Sequence, residues 1–143
     1  MDSLEIDNLM KEYRQYVGTY SRDTLPNSIT LPVGLIANTD TSDKPGTHWI
    51  AIYIDEKGVG EYFDSYGLPP LHKEFVDFIF RNSSDGSFYN RIQLQCLSCI
   101  TCGHYCVAYL KMRFHGLNYC HFISLFTSNR LQNDKIIKKF ITQ

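Results

Sequence analysis

The sequence has almost no net charge and no long apolar run, and both absences exclude classes of protein. Fourteen Lys and Arg stand against 15 Asp and Glu, so composition does not favour non-specific binding to nucleic acid. No segment approaches the roughly 18–20 apolar residues of a membrane-spanning helix, and the first residues lack the features of a signal peptide. Because a signal peptide is not recognised and the five cysteines are an odd number, we expect an intracellular protein with reduced thiols. Because there is no long apolar run, we expect no membrane contact.

The chain has enough apolar residues for one packed domain, which we predict to span 1–143. Hydrophobic residues make up 43% of the 143 positions, sufficient for a core without cross-links. The pattern predicts a first helix capped by Asp2 and Glu5 and ended by Gly18, with Leu4, Leu9, Met10 and Tyr13 facing the core. Further expected elements are strands at 32–39, 48–54, 60–66 and 88–95, and helices at 70–82, 102–116, 119–126 and 133–142. We expect Leu71 on the apolar face of the 70–82 helix and Asn133 as the cap of the last helix. This order predicts an α+β fold, with a mainly antiparallel central sheet flanked by helices.

Four of the five cysteines fall within the stretch "CLSCITCGHYC", residues 96–106. Their C-x2-C-x2-C-x3-C spacing matches an iron–sulfur loop, and His104 within it adds a ligand type that zinc accepts. A noncatalytic module that binds zinc or an iron–sulfur cluster is therefore one alternative. A second is that the cysteines are small buried hydrophobes, as free cysteines often are. We favour neither for Cys102, and we expect no metal or other cofactor.

Cys102 is the candidate nucleophile because "TCG" places it at a strand-to-helix turn. The N–H groups and the dipole at a helix start favour the thiolate form, which is the reactive one. Gly103 would let a substrate backbone approach closely, because it has no Cβ. We expect Cys96, Cys99, Cys106 and Cys120 to be structural.

The remaining groups that a cysteine nucleophile needs are also present. His48 lies at the entry to the predicted central strand and is a candidate general base. Asp64 follows the next strand at the same end of the hairpin, where it could orient the imidazole or simply cap a turn before Gly67. Gln95, predicted at the end of the 88–95 strand, could donate to an oxyanion.

Taken together, these residues resemble the adenovirus-type cysteine protease (adenain) family, related in fold to the ubiquitin-like-protein (SUMO) proteases. The resemblance rests on "LIANTDTSDKPGTHWIAIYID", "YFDSYG" and "Q-x6-C-G", which occur in the family's order. It implies that Cys102 is the nucleophile, His48 the base and acid, Asp64 the third triad member and Gln95 an oxyanion donor. Asp at position 64 is usual in the ubiquitin-like branch, whereas adenoviral enzymes tend to carry Glu. We expect Trp49, Gly103 and Gly46 to contact substrate.

The resemblance also implies a substrate, partners and a place of action. It implies an endopeptidase that cleaves after small residues or glycine, in precursor proteins of a virus or virus-like element. The alternative substrate is a ubiquitin-like protein. Adenoviral members take an activating peptide through a disulfide, but residues 81–90 contain no Cys. DNA is a family activator that the near-zero charge does not favour. The expected location is the cytoplasm, nucleus or virion of an infected cell.

Overall fold

Five strands form one mixed sheet in the computed structural model, which describes residues 1–142. The strands lie side by side in chain order. The central three pair antiparallel, and the first and last join the edges in parallel. They are β1 (Tyr16–Ser21), β2 (Val33–Asn38), β3 (Trp49–Ile54), β4 (Gly60–Phe63) and β5 (Ser87–Tyr89). The α+β prediction is confirmed.

Helices cover both faces of the sheet, which divides the core into two layers. They are α1 (Ser3–Met10), α2 (Lys73–Asn82), α3 (Cys102–Phe114), α4 (Tyr119–Ile123) and α5 (Arg130–Thr142). One layer contains α3, whose middle is buried on all sides, as expected for a helix without a polar face. The other contains the apolar side of α2, with Phe75 and Phe78. None of the described helices is long and apolar enough to cross a bilayer.

A buried ion pair fixes α3 against the sheet. The guanidinium of Arg113 donates to both carboxylate oxygens of Glu61 on β4, at 3.0 and 2.8 Å, and the hydroxyl of Tyr109 donates to the same carboxylate. The ring of Tyr109 also stacks on Phe63 at 4.5 Å between centroids. Because these contacts hold the helix on β4, they also fix where its first residue, Cys102, meets the sheet.

The two ends of the sheet differ from the sequence-based prediction. The first helix was predicted to continue to Gly18, but α1 ends at Met10 and the following "YVGTYS" pairs with β2 as a parallel edge strand. Its Val, Thr and Tyr residues favour that extended form. The strand predicted at 88–95 stops at Tyr89, so Gln95 does not lie at a strand end.

The helix ends show one confirmation and several corrections. The Asp2 carboxylate caps α1 by accepting the N–H of Glu5 at 2.8 Å. Asn133 does not cap the last helix. Asn129 takes that role, accepting the N–H of Gln132 at 3.1 Å, and α5 begins at Arg130. Two leucines expected on apolar faces, Leu4 and Leu71, are exposed. Leu4 lies in the first turn of α1, and Leu71 lies just before α2 begins.

Candidate active site

Cys102 is the first residue of α3, as predicted from the "TCG" turn. Its sulfur accepts a hydrogen bond from the backbone N–H of Trp49 at 3.5 Å, which brings the start of α3 against the start of β3. The N–H of Gly103 also donates to this sulfur. These N–H groups and the helix dipole favour a negative charge on Cys102.

His48 precedes β3 and lies between Cys102 and Asp64. Its Nε2 donates to Oδ1 of Asp64 at 2.9 Å. The imidazole and the Cys102 thiol are also hydrogen-bond partners, and each shifts the pKa of the other. The ring of Tyr66 stacks on the imidazole at 4.8 Å with an interplanar angle of 21°. The ring is therefore held on three sides in an orientation that suits proton transfer to and from the sulfur.

Asp64 is buried directly after β4 and serves two purposes. Its Oδ1 accepts the N–H of Tyr66 at 2.8 Å as well as the imidazole, so the carboxylate both caps a turn and orients His48. Asn90 holds the backbone of the same residue, accepting its N–H at 2.8 Å and donating to its carbonyl at 2.6 Å. Both interpretations drawn from the sequence therefore apply to one side chain.

The protonation states of Cys102 and His48 favour an ion pair. Burial lowers the pKa of His48, but the hydrogen bonds to Asp64 and Cys102, with their charges, outweigh it and raise that pKa to about 9. For Cys102, burial disfavours the thiolate and raises the pKa. The hydrogen bonds from His48 and from the N–H of Trp49 outweigh burial and bring the pKa of Cys102 below its ordinary value. A thiolate facing an imidazolium is the reactive state of a cysteine nucleophile.

Gln95 is held by Ser65 rather than by a strand. The carbonyl of Ser65 accepts the N–H groups of Leu94 and Gln95, at 2.8 and 3.0 Å, and its hydroxyl donates to Oε1 of Gln95 at 2.5 Å. One amide proton of Gln95 goes to the carbonyl of Cys99 at 2.7 Å. The second remains for another acceptor, which fits an oxyanion donor.

An open cleft of about 810 Å³ lies in front of Cys102. Cys102, Gln95, Trp49 and Gly46 all contribute to its walls. Gly46 has φ +91°, and a Cβ there would come within 2.6 Å of the Asn38 side chain, so glycine is needed at that turn.

Gly103 does not line the cleft. It is buried, and a Cβ at this position would lie 3.2 Å from both Trp49 Cδ1 and Met1 Cβ. This position gives no support to the expected contact between Gly103 and substrate, which stays a prediction. The lack of a side chain here instead lets Met1 and Trp49 pack over the first turn of α3.

The cysteines of residues 96–106 separate into different environments, and all are free thiols. Cys106 is fully buried, which raises its pKa well above the ordinary value. In residues 1–142, the group of side chains that could hold a metal contains Cys96, Cys99 and Asp134. Because Cys102 and Cys106 lie outside it, the four-cysteine metal module considered from spacing is wrong.

Three residues that position the site were missed in the sequence. Tyr66 and Ser65 belong to "YFDSYG" itself, where an aromatic two residues after the acidic one was an available signal. Asn90 lies 26 residues from Asp64, and no local pattern marks it.

Comparison with known proteins finds similarity to viral cysteine proteases. No family model matches the chain. A cysteine protease of African swine fever virus is 30% identical over 111 residues, covering 64% of this chain and 37% of that protein. A protein from another isolate, named SUMO-1 cysteine protease, matches equally at 30% and with the same coverage. The chain thus spans little more than a third of the curated relatives it matches.

Solved structures show the same fold. One crystal structure of the African swine fever virus protease superposes with a TM-score of 0.72 at 21% identity, covering 99% of this chain and 65% of that one. SUMO protease Ulp1 superposes with a TM-score of 0.53 at 13% identity, covering 100% and 79%. The chain therefore shares its fold with the African swine fever virus protease and with SUMO protease Ulp1. These similarities support that fold without singling out the adenovirus branch.

Proposed function

We propose that this protein is a cysteine endopeptidase with Cys102 as nucleophile, His48 as acid and base, and Asp64 as the group that orients His48. The observation that carries the proposal is the chain of hydrogen bonds from Cys102 through His48 to Asp64, which stabilises a thiolate–imidazolium pair at a helix start. The cysteine protease relatives add independent support.

The geometry supports a two-step hydrolysis. The Cys102 thiolate adds to the scissile carbonyl carbon, and the resulting oxyanion is stabilised by Gln95 and the N–H of Cys102. Imidazolium at His48 gives its proton to the leaving amine as the C–N bond breaks, which leaves a thioester. Neutral His48 then takes a proton from water, whose oxygen attacks the thioester, and the thiolate is released with the acid product.

The substrate class we favour is a ubiquitin-like protein with glycine on the acyl side of the cut. Glycine needs no room for a side chain beside Trp49, which lines the cleft with Cys102 and whose indole N–H donates to the Met1 carbonyl at 2.9 Å. The names of the relatives also favour this class. A viral precursor protein cut after glycine is the second class, and an infected cell is the place we propose for either.

Two exposed apolar side chains offer a docking surface for the substrate. Leu97 is 76% exposed and Ile100 84% exposed, and both line the cleft, as Gln95 does. A folded substrate that covered them would remove apolar surface from water. This arrangement favours a protein substrate over an isolated small peptide.

The test is covalent labelling with a peptide whose C-terminal Gly-Gly carries a vinyl sulfone. We expect one adduct by intact mass, absent in Cys102→Ala and retained in Cys99→Ala and in Cys120→Ala, the latter removing an exposed thiol. Labelling at any other cysteine would refute the assignment. Equal thermal melting of Cys102→Ala and wild type shows that loss of label is not loss of fold.

Substrate choice is tested with fluorogenic SUMO and ubiquitin fusions beside a Gly-Gly precursor peptide. A kcat/KM for SUMO or ubiquitin well above that for the peptide supports the ubiquitin-like class, and the reverse order supports precursor processing. Adding duplex DNA to each reaction measures activation by DNA. Adding a candidate viral peptide measures activation by a peptide.

A further inference from the structure

The cysteines that the proposed catalysis does not use include a pair placed beside a buried carboxylate. Sulfur atoms of Cys96 and Cys99 and a carboxylate oxygen of Asp134 all lie within 4.8 Å of one another. Around a tetrahedral zinc ion, with Zn–S bonds of about 2.3 Å and Zn–O bonds of about 2.1 Å, such atoms are about 3.5 to 3.8 Å apart. Movements of about 1 Å in partly exposed side chains would close the gap.

The local backbone already has the form of a two-cysteine chelate. The N–H of Cys99 donates to the carbonyl of Cys96 at 3.1 Å, which closes a turn around the C-x2-C pair. The hydroxyl of Ser98 lies 3.1 Å from the Cys96 sulfur, and the N–H of Ser98 also points to that sulfur. The turn therefore holds both sulfur atoms within reach of one ion.

Asp134 lacks a cationic partner although it is only 4% exposed. Its carboxylate accepts hydrogen bonds from Thr101 at 2.9 Å, from Tyr105 at 2.7 Å and from the N–H of Cys96 at 3.3 Å, and the thiol of Cys99 also donates to it. All of these donors are neutral. Within the part of the chain that the structure describes, no Lys, Arg or His forms an ion pair with this carboxylate.

A buried carboxylate is costly without a cation, and two thiols beside it select a soft one. We propose that Cys96, Cys99 and Asp134 bind a zinc ion, with water as the fourth ligand. The hydroxyls of Thr101 and Tyr105 hold the Asp134 carboxylate in the orientation that the ion needs. The three ligands come from one turn and from α5, so the ion joins the loop at 96–101 to the last helix.

The position of this site links it to the cleft without making it part of the triad. The carbonyl of Cys99 is the acceptor that fixes the Gln95 amide, at 2.7 Å, and Cys102 begins α3 directly after the loop. A bound ion at Cys99 would therefore steady the wall that carries Leu97, Ile100 and the oxyanion donor. The inference does not rest on the proposed function, because metal binding is measured without any substrate.

The test is metal content, with variants that separate this site from the catalytic one. Protein purified without chelators from zinc-supplemented cultures should contain about one zinc per chain by elemental mass spectrometry. Cys96→Ser and Cys99→Ser should lose it, whereas Cys102→Ala and Cys120→Ser should keep it. Cobalt(II) added to metal-free wild type should give a thiolate charge-transfer band. The band should be lost in Cys96→Ser and in Cys99→Ser.

Two outcomes would overturn the inference. Zinc that disappears in Cys102→Ala but stays in Cys96→Ser would place the ion at the nucleophile instead. A mass lower by two hydrogens without reductant, with no zinc, would mean a Cys96–Cys99 disulfide. Folding is checked separately: zinc should raise the Tm of metal-free wild type and leave the Tm of Cys96→Ser unchanged, with both proteins melting cooperatively.

Discussion

Replacing Asp64 with Asn should move the alkaline limb of the pH–rate profile to lower pH. Asn keeps the size of the side chain and an oxygen that can accept the N–H of Tyr66, so the change removes mainly the charge beside His48. The pKa of His48 is about 9 in the wild type, and the loss of an opposite charge at hydrogen-bond distance lowers such a pKa by about 1–3 units. We therefore expect the limb to fall from about pH 9 to about pH 6–8.

The sign follows from the protonation states that catalysis needs. The reactive form pairs thiolate with imidazolium, so activity is lost as pH rises through the His48 pKa, and a lower pKa ends activity sooner. Each unit corresponds to about 1.4 kcal/mol of lost preference for the charged imidazole. The burial that opposes this charge remains in the variant, because His48 still lies between Tyr66 and Cys102.

The assay is kcat/KM between pH 5 and 10 with a fluorogenic Gly-Gly substrate. Asp77→Asn is the matched control, because Asp77 lies exposed on α2 and the same chemical change there should leave the profile unaltered. An Asp64→Asn profile whose alkaline limb stays near pH 9, at any absolute rate, would contradict the argument. It would mean that Cys102 alone holds the proton on His48.

Two further predictions concern the oxyanion donor and the buried ion pair. Gln95→Ala should lower kcat by about 10²–10³ with little change in KM. The control Gln132→Ala, at an exposed position, should match wild type. An unchanged kcat in Gln95→Ala would exclude Gln95 as an oxyanion donor. Arg113→Met should lower the free energy of unfolding, measured in urea, by about 3–5 kcal/mol, because Glu61 stays buried without its partner. The control Lys111→Met, two residues away on the same helix, should lower it far less. Equal losses in the two variants would contradict a stabilising Arg113–Glu61 ion pair.

Much of the fold could be predicted because its central elements carry strong local patterns. The apolar run of β3 and the helical spacing after Cys102 indicate a buried strand and a buried helix. The glycine and turn residues between β3 and β4 indicate a hairpin. The candidate triad could be assembled from the sequence for the same reason: His48 and Asp64 flank that hairpin, so their proximity follows from local geometry.

The edge of the sheet and the support of Gln95 could not be predicted, because both depend on contacts distant in sequence. β1 is a strand only through its parallel partner β2. The segment after Tyr89 has no regular structure, and what positions Gln95 is Ser65, 30 residues earlier. Alternation of apolar residues in 88–95 indicated a strand, but the backbone N–H groups of Leu94 and Gln95 are satisfied by a single carbonyl instead.

The turn at 64–67 positions both His48 and Gln95, the proposed base and the proposed oxyanion donor. Asp64 orients His48 through its carboxylate, Ser65 orients Gln95 through its hydroxyl, and Tyr66 stacks on the imidazole. Three consecutive side chains therefore position the proposed base and the proposed oxyanion donor together, and the positive φ of Gly67, +76°, lets the chain leave the turn. Because neighbouring groups of this kind are not energetically independent, Ser65→Ala and Asp64→Asn combined should change kcat by an amount that differs from the product of their separate effects.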